Sequence, residues 1–398
     1  MRRTMTLRDV FPMAWLSALT LNACLLLLAV SGAMVYAAAV RPDVYGYDPT
    51  QSALSATRRS IEDLARAIPP GEVDRASYWN RLILAELDAA DLSAARGFLV
   101  AGRAMLPARE AARLEAKLPA SPDNAAIAAA ALSFVEPDIR IRFDGAPLAP
   151  TPGAGLIIGA PDDFEQRVRL LDDSRVDALD LTLQGLALAM REDLETPFVA
   201  GASVLIAARR AGALSPGVLA HYRTLADAAL PRAHLLAAAE AAPPIRGEAL
   251  TGDPVLLETL QRGVDAEGYA TLKRALSDLA DIAALASPTG AVRLIGLAVA
   301  PQDIARLRLI ALASGEMGVA VAKRAPASDV LAAAAGTWRL SARDWAALGA
   351  AAFAAFGIVI ATISGVGQAI AEALARRRKR KDDLEAAENL VAEERQQR

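Results

Sequence analysis

Residues 346–370 read AALGAAAFAAFGIVIATISGVGQAI, an uncharged apolar run closely followed by six consecutive basic residues, Arg376 to Lys381. As a helix rising 1.5 Å per residue, this run spans about 37 Å, enough to cross a hydrocarbon core of roughly 30 Å. Trp338 and Trp345 precede it, and their amphipathic rings suit a membrane–water boundary. The cluster Arg376, Arg377, Arg378, Lys379, Arg380 and Lys381 then marks the far end as cytoplasmic, because positive charge near a span stays on that side. These cations also suit anionic lipid headgroups, each worth about 1 kcal/mol near the surface.

A second apolar run, residues 13–40, raises the same question at the other end of the chain. Its stretch LNACLLLLAVSGAMVYAAAV (21–40) contains a lipobox-like Leu21-Asn22-Ala23-Cys24 and a cleavage-like Ala37-Ala38-Ala39. A secretory h-region is only about 7–15 residues long, so this run is too long for one. Asn22 is unusual in a lipobox, and Cys24 is followed by further apolar chain, so it reads as a small helical residue. With Arg2, Arg3 and Arg8 before the run, residues 1–12 are expected in the cytoplasm and 13–40 as the first membrane helix.

Both ends are therefore expected inside, with residues 41–345 outside, which in a bacterium is the periplasm. That block holds 32 basic and 38 acidic residues, and all but five of the 43 basic residues of the chain are arginine. An overall charge of −3 argues against nucleic acid as a partner. Alanine and leucine abound while aromatics make up 5 %, a mix that favours packed helices over sheets. The expected fold is all-α, with helical subdomains at 41–137 and 164–345. A Pro/Gly-rich divider at 138–163, where Ile139, Ile141 and Phe143 alternate, predicts a short hairpin or exposed loop. The second membrane helix covers 346–370, and a charged tail of good helix formers covers 371–398.

Within the first subdomain, YWNRLILAELDAADLSAARGFLVAGRAMLP (78–107) shows two helical runs about an Asp-containing turn. Trp79, Leu82, Ala95, Leu99, Gly102 and Pro107 fall at spacings where bulky residues of one helix fill notches left by small residues of the next, and proline stops the second helix. Over about 34 residues this segment resembles a single tetratricopeptide repeat, with Ile83 and Glu86 departing from the usual pattern. The resemblance implies a helical hairpin of the kind that holds partner peptides. Two further hairpins are expected. Pro197, Gly212, Ser215-Pro216 and Pro231 punctuate one at 196–231; the other lies within 253–286. Residues 291–304 suit either a strand or a buried helix.

In the second membrane run, Gly357, Ala361, Gly365 and Ala369 recur every four residues, as do Ala29, Ala33 and Ala37 in the first. Such smooth faces let helix backbones approach, predicting pairing within the chain or between copies. Candidate chemistry is sparse. Gly153, Gly155 and Gly159 echo a dinucleotide loop without the helix that should follow. His221 and His234 lack a second ligand at metal spacing, and Cys24 is the single cysteine. Glu316, in LIALASGEMGVAVA, is a carboxylate among apolar neighbours where burial raises a pKa, but an ordinary helix end explains it equally. The expectation is a non-catalytic envelope scaffold with a membrane or envelope protein partner and no cofactor or metal. The alternatives are a ligand sensor or a peptidoglycan-active enzyme.

Overall fold

A computed structural model of the chain describes residues 7–39, 45–69, 71, 74–132, 142–143, 146–147, 168, 178–241, 254–339 and 341–396. These residues are almost all helical, an all-α architecture in two compact units: 1–46 with 338–398, and 47–337. Two helices, α1 (Leu7–Ala39) and the last helix (Ala342–Gln396), are long and apolar enough to cross a membrane.

Along the chain, α1 is followed by α2 (Gln51–Ala67), α3 (Arg75–Asp88), α4 (Leu92–Gly102), α5 (Ala108–Glu115) and α6 (Asn124–Leu132). Further along the chain come α7 (Ala178–Ala189), α8 (Thr196–Arg210), α9 (Pro216–Ala229), α10 (Arg232–Ala241), α11 (Pro254–Gly263) and α12 (Ala266–Ala286). The unit closes with α13 (Pro288–Ile295), α14 (Gln302–Ser314), α15 (Glu316–Arg324) and α16 (Ala327–Ala332), and α17 is the long helix Ala342–Gln396. Arg142–Phe143 pairs antiparallel with Ala146–Pro147, inside the stretch whose alternation predicts a hairpin. The remainder of 138–163 lies outside the described residues.

Local chemistry sets the helix boundaries. The side chains of Thr50, Asp74, Asp91, Ser215 and Asp265 each accept a hydrogen bond from a first-turn amide, satisfying donors that the helix leaves orphaned. Pro216 occupies the first turn of α9, and Gly212, with φ +66, ends α8 in a left-handed conformation that a Cβ would oppose. Residues 291–304, open between strand and helix in sequence, cover the end of α13 and the start of α14, and the α13 N-cap Ser287 accepts from the Gly290 amide.

Apolar burial does not follow the expected division at 138–163. Ala53, Thr57, Ile61 and Ala65, four residues apart, line one face of α2. That stripe needs cover and finds it on α14 and α15, so the first helix of the unit shares a core with the last ones. Ile127 of α6 joins the same core beside Phe198 and Leu276. Only α3 to α5 gather a separate cluster, built on Trp79, Ile83, Phe98, Leu99 and Leu114 and closed by Ala320 of α15.

The tightest crossings are made by glycine. A Cβ on Gly201 of α8 would lie 1.9 Å from the Leu276 carbonyl oxygen of α12, and one on Gly268 of α12 would lie 2.4 Å from the Ala228 carbonyl oxygen of α9. A Cβ on Gly97 of α4 would lie 2.5 Å from the Glu316 carbonyl oxygen of α15. Gly201→Ala is therefore expected to force α8 and α12 apart and cost about 1–3 kcal/mol. Thermal unfolding of the purified chain checks this; an unchanged Tm would show that the crossing relaxes freely.

Candidate functional site

In the first unit, Tyr45 and Trp338 meet edge to face with centroids 5.1 Å apart, so the ends of α1 and α17 that lead into them lie together and the helices run antiparallel. The seam uses Leu21, Cys24, Leu28 and Ser31 of α1 against Ala347, Ala354, Gly357 and Ala361 of α17. At Gly357 a Cβ would stand 2.7 Å from Cys24 Sγ. Ala29 and Ala33 face outward, Gly365 has open space, and Ala369 is exposed. The physical reason is spacing: alternating steps of three and four keep a seam on the partner helix, whereas strict steps of four drift around the helix. Apolar side chains such as Leu26, Val30, Phe353, Phe356 and Ile363 point away from the seam. Beyond it, Arg376, Arg377, Arg378, Lys379, Arg380 and Lys381 are all exposed on the continuing helix.

In the second unit, the tetratricopeptide-like residues Trp79, Leu82, Ala95 and Leu99 are buried, and Pro107 sits exposed just before α5. A Cβ on Gly102 would fall 2.7 Å from the Trp79 ring, so the small residue makes the notch that the indole fills. The α3–α4 turn carries what the sequence did not announce. Asp91, while capping α4, accepts from Arg293 Nη2 at 2.7 Å and from Lys323 Nζ at 2.8 Å. Lys323 also pairs with Glu86, whose other oxygen lies 3.9 Å from Arg324. Burial alone would raise the Asp91 carboxyl, but Arg293 and Lys323 outweigh it and hold it below its ordinary value. Two features of the sequence could have marked it: Arg293 within an apolar run, and Glu86 at a position where the repeat pattern departs.

Between α4, α5 and the start of α15 lies a groove of about 290 Å³ lined by Arg96, Leu99, Val100, Arg103, Glu115, residues 118–121 and Glu316. Gly315, with φ +53, turns the chain so that Glu316 opens α15. Burial pushes the Glu316 carboxyl up, and Arg96, 3.9 Å away, offsets this only in part. Arg96 is otherwise engaged, since its Nε and Nη2 donate to the Pro119 carbonyl at 3.2 and 2.6 Å. Arg103 Nη1 pairs with Glu115 Oε2 at 3.0 Å.

The other candidates do not come together. His221 is exposed and packs its ring against Tyr222, while His234 is exposed and covers Gly263. Gly153, Gly155 and Gly159 lie outside the described residues, among which no group of three His, Cys, Asp or Glu is placed to hold a metal. No known protein family, curated protein or solved structure matches this chain.

Two outcomes follow from this geometry. A Cβ at residue 357 would stand 3.8 Å from Cys24 Cβ, the usual disulfide separation, so Gly357→Cys should crosslink to Cys24 under mild oxidant and Gly365→Cys should not. A gel after proteolytic cleavage between the helices reads the difference. Asp91→Asn should destabilise by about 3–5 kcal/mol by removing the buried carboxylate that Arg293 and Lys323 share. Because the folded pKa of Asp91 is depressed, its stabilisation is full above the unfolded value and is lost as pH falls through the folded one. Acid titration of unfolding should therefore show the gap between wild type and Asp91→Asn closing at the acid end.

Proposed function

We propose that this chain is a two-pass inner-membrane protein with both termini in the cytoplasm. Its helical unit, residues 47–337, would then be a periplasmic, non-catalytic scaffold or adaptor in a cell-envelope complex. One observation carries the proposal: two long helices with outward apolar faces bracket a helical unit whose own apolar residues are largely buried. The basic residues at 376–381 and near the N-terminus support the sidedness through the positive-inside rule. The hairpin at 78–107, with its resemblance to a repeat that holds peptides, supports partner binding by analogy.

A ligand sensor is the second reading, favoured by the unbroken course of α17 from Ala342 to Gln396. Such a helix joins a membrane span to the segment beyond it without a hinge.

Sidedness and partnership are tested together by adding a membrane-impermeant amine crosslinker to spheroplasts and purifying the tagged chain in mild detergent. Lys117 offers an exposed amine in the helical unit. Recovery of a stoichiometric envelope protein linked through that unit is the expected result. Lack of reaction until the membrane is permeabilised would overturn the topology, and recovery of the chain alone would overturn the stable scaffold.

A further inference from the structure

We propose that the groove at Glu316 receives one arginine or lysine side chain of a partner polypeptide, with the Glu316 carboxylate as its counter-charge. This rests on the scaffold function above and specifies what the partner presents.

Size sets the first limit. At about 290 Å³ the groove lies at the lower edge of small-molecule pockets, which run from roughly 300 to 1,000 Å³, so it suits a single long side chain. Its walls suit the stem of such a side chain. Leu99, Val100, Leu118 and Pro119 give apolar surface along which a lysine or arginine alkyl chain lies while its head stays polar. Val100 is 42 % exposed, an apolar side chain at the mouth.

Charge selects the head group. The groove holds two arginines and two glutamates, but they are not equally engaged. Arg96 is anchored to the Pro119 carbonyl, and Arg103 is paired with Glu115. Among the described residues, the Glu316 carboxylate has only Arg96 at 3.9 Å, beyond hydrogen-bond distance, although its side chain is just 21 % exposed. A carboxylate has about four acceptor sites, so this one has capacity that the walls leave unused. An anion entering the groove would meet Glu316 and Glu115 together, and a neutral group would leave the desolvated charge without compensation. A guanidinium or ammonium supplies both the charge and the donors.

The backbone holds Glu316 firmly in place. Gly97 lets α4 press against the Glu316 carbonyl, and Gly315 fixes the turn before it, so the side chain is presented from a rigid base. Burial raises its carboxyl, so ionised Glu316 weakens the free fold at neutral pH. A folded pKa above the unfolded one means this cost fades as pH falls through the folded value.

The test uses the full chain in lipid nanodiscs with labelled Leu and Val methyl groups. It is titrated with N-acetyl-arginine amide and with the neutral isostere N-acetyl-citrulline amide. The expected result is that the methyls of Leu99, Val100 and Leu118 shift with the arginine probe and not with the citrulline one. Glu316→Gln should weaken the response about tenfold, as expected from losing one charge-assisted hydrogen bond. Val100→Trp, which fills the mouth without touching Glu316, should abolish it. Equal shifts with citrulline, or no change in Glu316→Gln, would overturn the proposal. A second arm places a benzoylphenylalanine photocrosslinker at Val100 in native membranes. A captured segment with a basic residue beside the link, lost in Glu316→Lys, supports the proposal. Capture that is indifferent to Glu316→Lys overturns the groove alone and leaves the scaffold standing. Absence of any partner in the spheroplast experiment overturns both.

Discussion

Direct contact between helix backbones is the constraint on which the helical unit depends. At three crossings, α8 on α12, α9 on α12 and α4 on α15, a glycine stands where any Cβ would collide with a carbonyl oxygen. Side chains normally hold helices 8–10 Å apart, and removing them at the contact lets the axes close in. An alanine-rich chain with few aromatics lacks bulk to fill wide gaps, so close approach is how it reaches interior packing density. Everything placed on these helices inherits the fixed spacing, including Glu316, whose carbonyl is the surface that Gly97 meets.

The buried ion cluster adds orientation to this proximity. Glu86 of α3, Asp91 of the α3–α4 turn, Arg293 of α13 and Lys323 of α15 are tied together by direct hydrogen bonds and ion pairs. Apolar residues of similar volume would hold these helices about as tightly, since desolvating charges offsets most of their attraction. What the ions add is register. Turning the hairpin would pull the Asp91 carboxylate away from buried Arg293, an outcome costlier than losing an apolar contact. The hairpin that resembles a repeat is thus bolted to the rest of the unit, and α3 to α5 keep their own small core beside it.

Local features were the ones legible in sequence. Ser215-Pro216 and Gly212 mark helix ends through chemistry confined to one turn, and the structure places the boundaries there. The Trp79 notch was readable for the same reason, because Gly102 lies in the next helix of the same hairpin. Asp91 and Arg293 are 202 residues apart, and no period or cap links them. The cover for α2 was equally hidden, since its stripe shows that a partner exists but not that α14 supplies it. In the paired apolar helices, small residues gave several overlapping stripes, and only three-dimensional contact selects the one through Cys24 and Gly357. The groove was half legible: Glu316 stood out as a lone carboxylate, while Arg96 and the 118–121 wall had no sequence tie to it.

The unbroken run of α17 makes its far end a phase-locked extension of its seam. Each residue turns the helix by about 100°, so the azimuths of Arg376 to Lys381 follow from the residues that grip α1. A rotation or axial slide imposed at Gly357 is carried toward the basic cluster with no break in the helix between them. Inserting a single residue between the two would leave composition and length almost untouched while re-aiming the whole distal face.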